Sequence, residues 1–204
     1  MAAISTAAQD LAGPVSDVPD LAPRVEAIGA VEKLLHLIGE DPTRDGLRDT
    51  PKRVVKALLE MTSGYREDPA KILSTTFAEK HDAMVLLKGI RFQSLCEHHL
   101  LPFVGVAHVG YVPHERVVGL SKLARLVSCY AKRLQVQERL TDQIAGAIME
   151  HLKPLGAGVV VSSSHSCMAY RGANQPDAEM ITSSMLGVLR DKPEARAEFL
   201  RLIG

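Results

Sequence analysis

Apolar residues recur along the chain with two different periods, and these periods predict its secondary structure. In residues 23–39 the apolar side chains are spaced three and four residues apart, which is typical of a helix. A second helix is predicted from about Thr50, with Pro51 in its first turn, to about Gly64. Residues 1–20 are rich in Ala, Ser, Asp and Pro without such a period, and they predict a flexible tail.

Beyond residue 80 the chain changes between strand and helix patterns. Residues 83–95 and 101–112 predict two strands joined by a turn, and the second is rich in Val and aromatic residues. The later elements are predicted as helices at 121–134 and 138–153, strands at 157–170 and about 178–184, and a helix at about 193–202. This order predicts an α+β fold with an antiparallel sheet and a layer of helices.

Composition and charge exclude several classes of protein. The chain has 204 residues, of which 24 are Lys or Arg and 24 are Asp or Glu, so nothing favours general attraction to nucleic acid or to a membrane. No stretch approaches the ~18 consecutive apolar residues of a membrane span. Three cysteines and the lack of a secretory signal pattern favour the reducing cytoplasm.

Four side chains in two short segments have the spacing of metal ligands. Cys96 and His99 form a Cys-x-x-His pair, which has the tight spacing of a metal-binding turn. His165 and Cys167 follow the apolar run 159–161, and on a strand their spacing would place both on one face. Cys and His are borderline-soft ligands that suit zinc, so we predict a zinc site if the fold brings the two segments together.

Two kinds of zinc site remain open from the residues alone. In a closed structural site all four side chains bind the ion, whereas in a catalytic site three bind and one position is left for water or substrate. The adjacent His98 and His99 favour the catalytic site, because at most one of them can face the ion. The spare imidazole and His165 would then serve acid–base chemistry near neutral pH. The alternative is a surface His98 with Cys96 and Cys167 as small buried side chains.

Basic residues gather at the predicted start of the helix at 121–134. Ser121 can cap this helix, and Lys122 and Arg125 follow in its first turns, where the helix dipole disfavours a cation unless an anion is bound. Arg171 would add a guanidinium near the second metal segment, and guanidinium groups suit phosphate. These residues predict a phosphate site, and the alternative is that they are solvated surface cations.

Two further pairs of polar residues are ambiguous from spacing alone. Arg53 and Lys56 lie on the second predicted helix, where charged faces are usually only solvated. Glu138, beside the amide of Gln137, can accept two hydrogen bonds from a guanine edge, but a carboxylate also suits the first turn of a helix.

Taken together, these segments resemble the GTP cyclohydrolase I family of zinc enzymes. The resemblance covers about residues 24–203, and its six blocks occur in the family's order and spacing. The matching blocks are Thr50–Lys56, Leu95–Phe103, Gly119–Arg125, Gln135–Thr141, His165–Met168 with Arg171–Gly172, and Ser184–Gly187.

The resemblance implies a fold and a reaction. The fold is the tunnelling fold, a four-stranded antiparallel sheet with two antiparallel helices on one face, preceded by an N-terminal helical extension. It implies an N-terminal helical segment at 21–66 and a catalytic domain at 67–204, assembled as a homodecamer with sites at subunit interfaces. The reaction converts GTP and water to 7,8-dihydroneopterin triphosphate and formate.

The resemblance also implies roles for single residues. By matching positions, Cys96, His99 and Cys167 would bind zinc, with water in the fourth place. His98 would exchange protons with the purine ring nitrogen, and His165 would act in ring and ribose opening.

The remaining implied residues hold the substrate. Glu138 resembles the carboxylate that anchors the guanine edge, with Gln137 beside it. The resemblance implies a triphosphate clamp made of Ser121, Lys122, Arg125 and Arg171. Lys56 and Arg53 of a neighbouring subunit are implied to complete it. Ser121 is also implied to be one of the catalytic residues, with His98 and His165.

Some residues depart from the family pattern without removing an implied ligand. Residues 162–164 are all serine, where the family usually has an acidic residue and an alanine, and Ala173 stands where it usually has Val or Ile. Two other functions are therefore kept as alternatives: a different tunnelling-fold enzyme acting on a pterin or deazaguanine, and a non-catalytic zinc-stabilised nucleotide-binding protein.

Overall fold

The computed structural model describes residues 21–204, and their contacts separate into two compact units, one ending at Met61 and one running from Thr62 to Gly204. The predicted tail, residues 1–20, lies outside the described residues. None of the helices within the described part of the chain is long and apolar enough to span a membrane.

From Leu21 onwards, the first unit contains two helices, as the apolar spacing predicts. Helix α1 is Leu21–Leu37 and helix α2 is Thr50–Met61. Gly39 follows α1 with a φ of 87°, and its N–H donates to the carbonyl of His36. A glycine in this left-handed conformation is a common way to end a helix.

The second unit begins with a 3₁₀ turn, Ser63–Arg66, and continues with short elements and long strands. In chain order these are α3 (Pro69–Leu73), β1 (Thr76–Phe77), β2 (Val85–Cys96), β3 (Pro102–Val112), β4 (Val117–Val118), α4 (Leu120–Ala131), β5 (Leu134–Gln135), α5 (Gln137–Leu152), β6 (Gly156–His165), α6 (Ser166–Ala169), β7 (Met180–Gly187), α7 (Val188–Asp191) and α8 (Pro193–Ile203).

The main sheet has the strand order β5-β2-β3-β6-β7, and β1 pairs with β4 in a separate two-stranded sheet. Strands β2, β3, β6 and β7 are antiparallel to their neighbours, and β5 runs parallel to β2. The predicted α+β class is confirmed, but the sheet has five strands and not four. The fifth arises because the chain between α4 and α5 runs beside the end of β2, where Leu134 pairs with Leu95 and Gln135 with Cys96.

One face of the sheet is covered by α4 and α5, which form the main core. Helix α4 packs on β2, and α5 packs on β6 and β7. Alternate residues of the strands point into this layer because side chains of a strand alternate between its two faces. The buried side chains that meet there include Phe103, Ala107, Val109 and Tyr111 of β3, Val159 and Val161 of β6, and Leu126, Leu140, Ile144 and Ile148 of the helices.

The C-terminal helix α8 covers part of the opposite face and forms a second, smaller core. Phe199 is fully buried there, with Leu189 and Val160. Two glycines make room for it, since a Cβ at Gly110 would lie 2.9 Å from the Phe199 ring and one at Gly158 would lie 2.7 Å from Leu189 Cδ2. Any larger side chain at these two positions would push the helix away from the sheet.

Strand β6 is shorter than the sequence predicts, and this difference changes the predicted position of Cys167. The prediction extended the strand over 157–170, but it ends at His165. Residues 166–169 form one helical turn, closed by the Tyr170 N–H donating to the Ser166 carbonyl at 3.1 Å. Cys167 therefore lies on a helical turn, and the strand-face argument that grouped it with His165 is wrong.

The start of α4 also differs from the prediction. Gly119 is the N-cap and the helix begins at Leu120, so Ser121 is inside the first turn and does not cap it. The Gly119 carbonyl accepts from the Lys122 N–H at 2.8 Å, and no side chain caps this helix end.

The two outer strands of the main sheet leave long edges open. Among residues 21–204, strand β2 pairs on its outer side only through Leu95 and Cys96, so no described strand lies beside Val85–Ser94 on that side. Strand β7 is the last strand at the other edge within the described residues.

We expect Phe199→Ala to lower the free energy of unfolding by about 3 kcal/mol, because it leaves a cavity in the second core. Urea denaturation followed by circular dichroism measures this. Leu200→Ala on the same helix is the control, since Leu200 is 46% exposed and its loss should cost less than about 1 kcal/mol. Equal losses for the two variants would contradict the assignment of Phe199 to a core.

Candidate active site

Three of the four predicted metal ligands come together in the structure. Cys96 ends β2, His99 lies in the turn after it, and Cys167 lies on α6, and their ligand atoms are within 4.8 Å of one another. The distance between Cys96 Sγ and His99 Nδ1 is 3.9 Å. The turn is closed by the Cys96 N–H donating to the Leu101 carbonyl and by the Leu100 N–H donating to the Cys96 carbonyl, at 2.9 and 2.8 Å.

The donor set of this group suits a metal ion with an open coordination position. Two thiol groups and one imidazole are the soft and borderline ligands that zinc prefers, and three protein ligands are typical of a catalytic site. Burial raises the pKa of the Cys167 thiol, and the neighbouring Cys96 raises that pKa further. A bound cation would relieve this cost because it stabilises thiolates.

His165 is not part of the metal group, although it was one of the four candidates. Its Nε2 lies 2.9 Å from Oε1 of Gln137, and its ring stacks on Phe103 with centroids 4.5 Å apart and an interplanar angle of 5°. The stack follows from the strand register, which pairs Phe103 of β3 with His165 of β6. Burial lowers the pKa of His165, and the Glu138 carboxylate partly opposes this shift, so the imidazole is neutral near pH 7.

Gln137, at the start of α5, is almost fully buried at 1% exposure and uses its whole amide group inside the fold. Its Nε2 donates to the carbonyls of Val161 and Met180 at 3.1 and 2.8 Å and to Thr182 Oγ1 at 3.2 Å. Its Oε1 accepts from the Ser163 hydroxyl at 2.6 Å as well as facing His165.

His98 lies beside the metal group, as the prediction of a spare imidazole requires. Its Nδ1 is 3.8 Å from Cys96 Sγ, and its Nε2 is 4.0 Å from a carboxylate oxygen of Glu97. The side chain is 63% exposed, so it can reach a ligand in solvent.

Arg171 is the one basic residue of the predicted clamp that contacts the metal group within residues 21–204. Its Nη1 is 3.0 Å from His99 Nε2. A guanidinium carries five N–H donors, and those of Arg171 that do not face His99 can bind an anion. Ala173 lies in the exposed loop that follows, between Arg171 and β7.

The other predicted substrate residues lie on helices. Ser121 and Arg125 are exposed on α4, Lys122 is half-buried there, and Glu138 is exposed in the first turn of α5. Within the described chain, no hydrogen bond or ion pair joins them to the cysteine–histidine group. Arg53 and Lys56 belong to the first unit, on α2. Arg53 faces Asp49, just before this helix, at 3.4 Å, and Lys56 faces Glu60 at 4.0 Å.

Several residues of the site were not found by sequence reasoning. The sequence did contain a clue to Ser163, because it lies two residues before His165 on the same strand and so faces the same side. Phe103 could also have been predicted, since alternation along β3 directs its side chain into the helical layer. The contact between Glu97 and Arg139 could not be predicted from the sequence, because the two residues are 42 positions apart.

The Glu97–Arg139 pair connects the metal-binding turn to helix α5. Both guanidinium N–H groups donate to the carboxylate, at 2.6 and 2.9 Å, and the Glu97 main-chain N–H donates to the Gln135 carbonyl at 3.0 Å. The Arg139 hydrogen bonds hold the pKa of Glu97 below its usual value. A bidentate contact of this kind fixes orientation as well as distance.

Comparison with known proteins gives a consistent result over most of the chain. A family model described as GTP cyclohydrolase I matches residues 27–204. A protein named GTP cyclohydrolase 1 from Synechococcus sp. (strain JA-2-3B'a(2-13)) is 56% identical over 189 residues, which are 92% of this chain and 81% of that protein.

A second protein of that name, from Leptospira biflexa serovar Patoc, is 52% identical over 174 residues, covering 85% of this chain and 95% of its own. Among solved structures, the archaeosine synthase QueF-Like in the apo form has a TM-score of 0.45 and 20% identity, covering 53% of this chain and 97% of that chain.

We expect Glu97→Gln to weaken zinc binding about 10-fold, because a loosened turn holds Cys96 and His99 less rigidly. Competition with a chromophoric chelator measures the affinity. The charge-exchanged double variant Glu97→Arg/Arg139→Glu should recover part of it. Arg44→Gln, which removes an exposed ion pair with Glu40 in the first unit, is the control and should bind zinc normally. A double variant weaker than either single one would contradict this role.

Proposed function

The chain belongs to the GTP cyclohydrolase I family, and from this premise we propose that it converts GTP and water to 7,8-dihydroneopterin triphosphate and formate. This is the first step of pteridine and tetrahydrofolate synthesis. The observation that carries the proposal is the convergence of Cys96, His99 and Cys167, with two imidazoles beside them that are not needed as ligands. Neither alternative function is favoured, because the relatives over most of the chain are named GTP cyclohydrolase 1.

We propose zinc as the metal held by Cys96, His99 and Cys167. The fit rests on the donor set and on the spacing of the ligand atoms, which lie within 4.8 Å of one another. When bound, zinc supplies a Lewis acid that makes water nucleophilic near neutral pH.

The chain's own side chains would move the protons of the reaction. His98 is exposed and lies next to Cys96, where its imidazole can exchange a proton with the ring nitrogen of the purine. His165 is held neutral by burial, and a neutral imidazole can accept a proton during ring and ribose opening. Glu138, in the first turn of α5, would accept the N–H groups of the guanine edge.

The triphosphate would bind where the basic residues of the second unit are exposed. Arg171 already reaches the metal group through His99. Ser121, Lys122 and Arg125 present an uncapped helix start together with two cations, which suits a phosphate.

The remaining part of the proposal concerns assembly. We propose the tunnelling fold and a homodecamer in which a neighbouring copy supplies Arg53 and Lys56 to the triphosphate. In the structure Arg53 faces Asp49 and Lys56 faces Glu60, and both contacts are exposed and therefore weak.

The direct test is turnover by the purified, zinc-loaded protein. GTP should be consumed with release of one formate per molecule, and a fluorescent pterin should appear after oxidation of the product. Zinc-loaded protein that binds GTP without releasing formate would overturn the proposal and favour a binding role.

We expect His98→Ala to lower kcat about 100-fold or more while zinc content stays the same, because His98 transfers protons and does not bind the ion. Steady-state kinetics and metal analysis of one preparation measure both quantities. His114→Ala, which removes an exposed histidine in the turn after β3, is the matched control and should leave kcat unchanged. Loss of zinc from His98→Ala would assign this residue to the ligands.

A further inference from the structure

We propose that Gln137 is a positioning residue, which fixes the tautomer and orientation of His165 so that Nδ1 is its proton-accepting nitrogen. The inference rests on the proposed function, in which His165 is an acid–base group, and it adds the nitrogen at which the group works. In this proposal the Gln137 side chain holds His165 and does not contact the guanine edge.

The first step is the orientation of the Gln137 amide. Its nitrogen lies 2.8 Å from the carbonyl oxygen of Met180 and 3.1 Å from that of Val161. A main-chain carbonyl can only accept a hydrogen bond, so the atom facing these two oxygens must be the NH₂ group. A rotated amide would set its oxygen against two carbonyl oxygens. The main chain of β6 and β7 therefore determines which way the amide points.

The second step follows on the other side of the amide. Because the NH₂ group faces the carbonyls, the oxygen Oε1 faces His165 Nε2 at 2.9 Å and the Ser163 hydroxyl at 2.6 Å. An amide oxygen only accepts, so His165 Nε2 must carry a proton. The other tautomer would place two lone pairs against each other at hydrogen-bonding distance. In the neutral ring, Nδ1 is then the free base.

The third step concerns the capacity of Gln137 for any other partner. Its oxygen accepts two hydrogen bonds, and its nitrogen is shared among the two carbonyls and Thr182 Oγ1. The Thr141 hydroxyl donates to the main-chain carbonyl of Gln137 at 2.8 Å. Its Oγ1 also lies 2.6 Å from Oγ1 of Thr182. An amide that is 1% exposed and fully used has no donor or acceptor left for a substrate.

Phe103 also restricts the orientation of the His165 ring. The two rings stack with their centroids 4.5 Å apart, and Phe103 is itself buried in the core at 1% exposure. The stack restricts tilting of the imidazole, and the Gln137 hydrogen bond restricts its rotation. Together they keep Nδ1 in one direction before substrate binds, which is the kind of preorganisation that proton transfer benefits from.

Solid-state ¹⁵N NMR of protein labelled with ¹⁵N-histidine tests the tautomer directly, without turnover. The resonances of His165 are identified as those lost in His165→Asn. We expect a protonated Nε2 and an unprotonated Nδ1 in the wild-type protein. A protonated Nδ1 with a bare Nε2 would overturn the proposal, and this result does not depend on the folding of a Gln137 variant.

The variant Gln137→Met tests the function of the amide while keeping a similar volume. We expect kcat to fall about 10-fold or more with KM for GTP changed less than about threefold, because orientation is lost and no substrate contact is removed. Gln93→Met, which makes the same change at an exposed glutamine of β2, is the matched control, and it should leave kcat within about twofold. A rise in KM at unchanged kcat would show that Gln137 binds substrate and would overturn the proposal.

The two proposals fail in different ways. Wild-type protein that releases no formate from GTP contradicts the proposed function, whereas the tautomer of His165 is still read from its nitrogen resonances. Turnover with the expected reaction but with the opposite tautomer contradicts only the role of Gln137.

Discussion

The site depends on the antiparallel register between β3 and β6. This register pairs Phe103 with His165 and Ala107 with Val161, and so directs the imidazole toward the helical layer. Because side chains alternate along a strand, a shift of one residue would turn His165 to the other face and separate it from Gln137. The apolar pairs farther along the same two strands resist that shift, since it would also expose Val159 and Val161. The core therefore maintains the position of the acid–base group.

The site divides into a part built on turns and a part built on the sheet. Cys96, His99 and Cys167 come from the end of a strand, a hairpin turn and a single helical turn, so several local contacts are needed to hold them. The Glu97–Arg139 pair supplies one of these. His165 is the last residue of β6, where it pairs with Phe103 of β3, and this main-chain pairing fixes its position. The metal ligands therefore take their rigidity from the contacts of the turn, whereas the proton-transfer group takes it from the sheet.

The sequence was most informative where residues follow a period or a short motif. Periodicity located the long strands and helices to within about five residues, and the Cys-x-x-His motif located the metal turn. It could not show that β6 ends at His165, because the following residues have no breaker, and this end places Cys167 on a helical turn. It also missed β5, since two residues are too few to show a period.

The open edges of the sheet affect how easily the chain associates with other polypeptides before it is fully folded and assembled. In the described part of the chain, no strand lies beside Val85–Ser94 of β2 on one side, and β7 is the last strand at the other edge. Such edges accept any extended segment, native or not. During synthesis in a crowded cell, the newly made chain is thus at risk of pairing with unrelated strands.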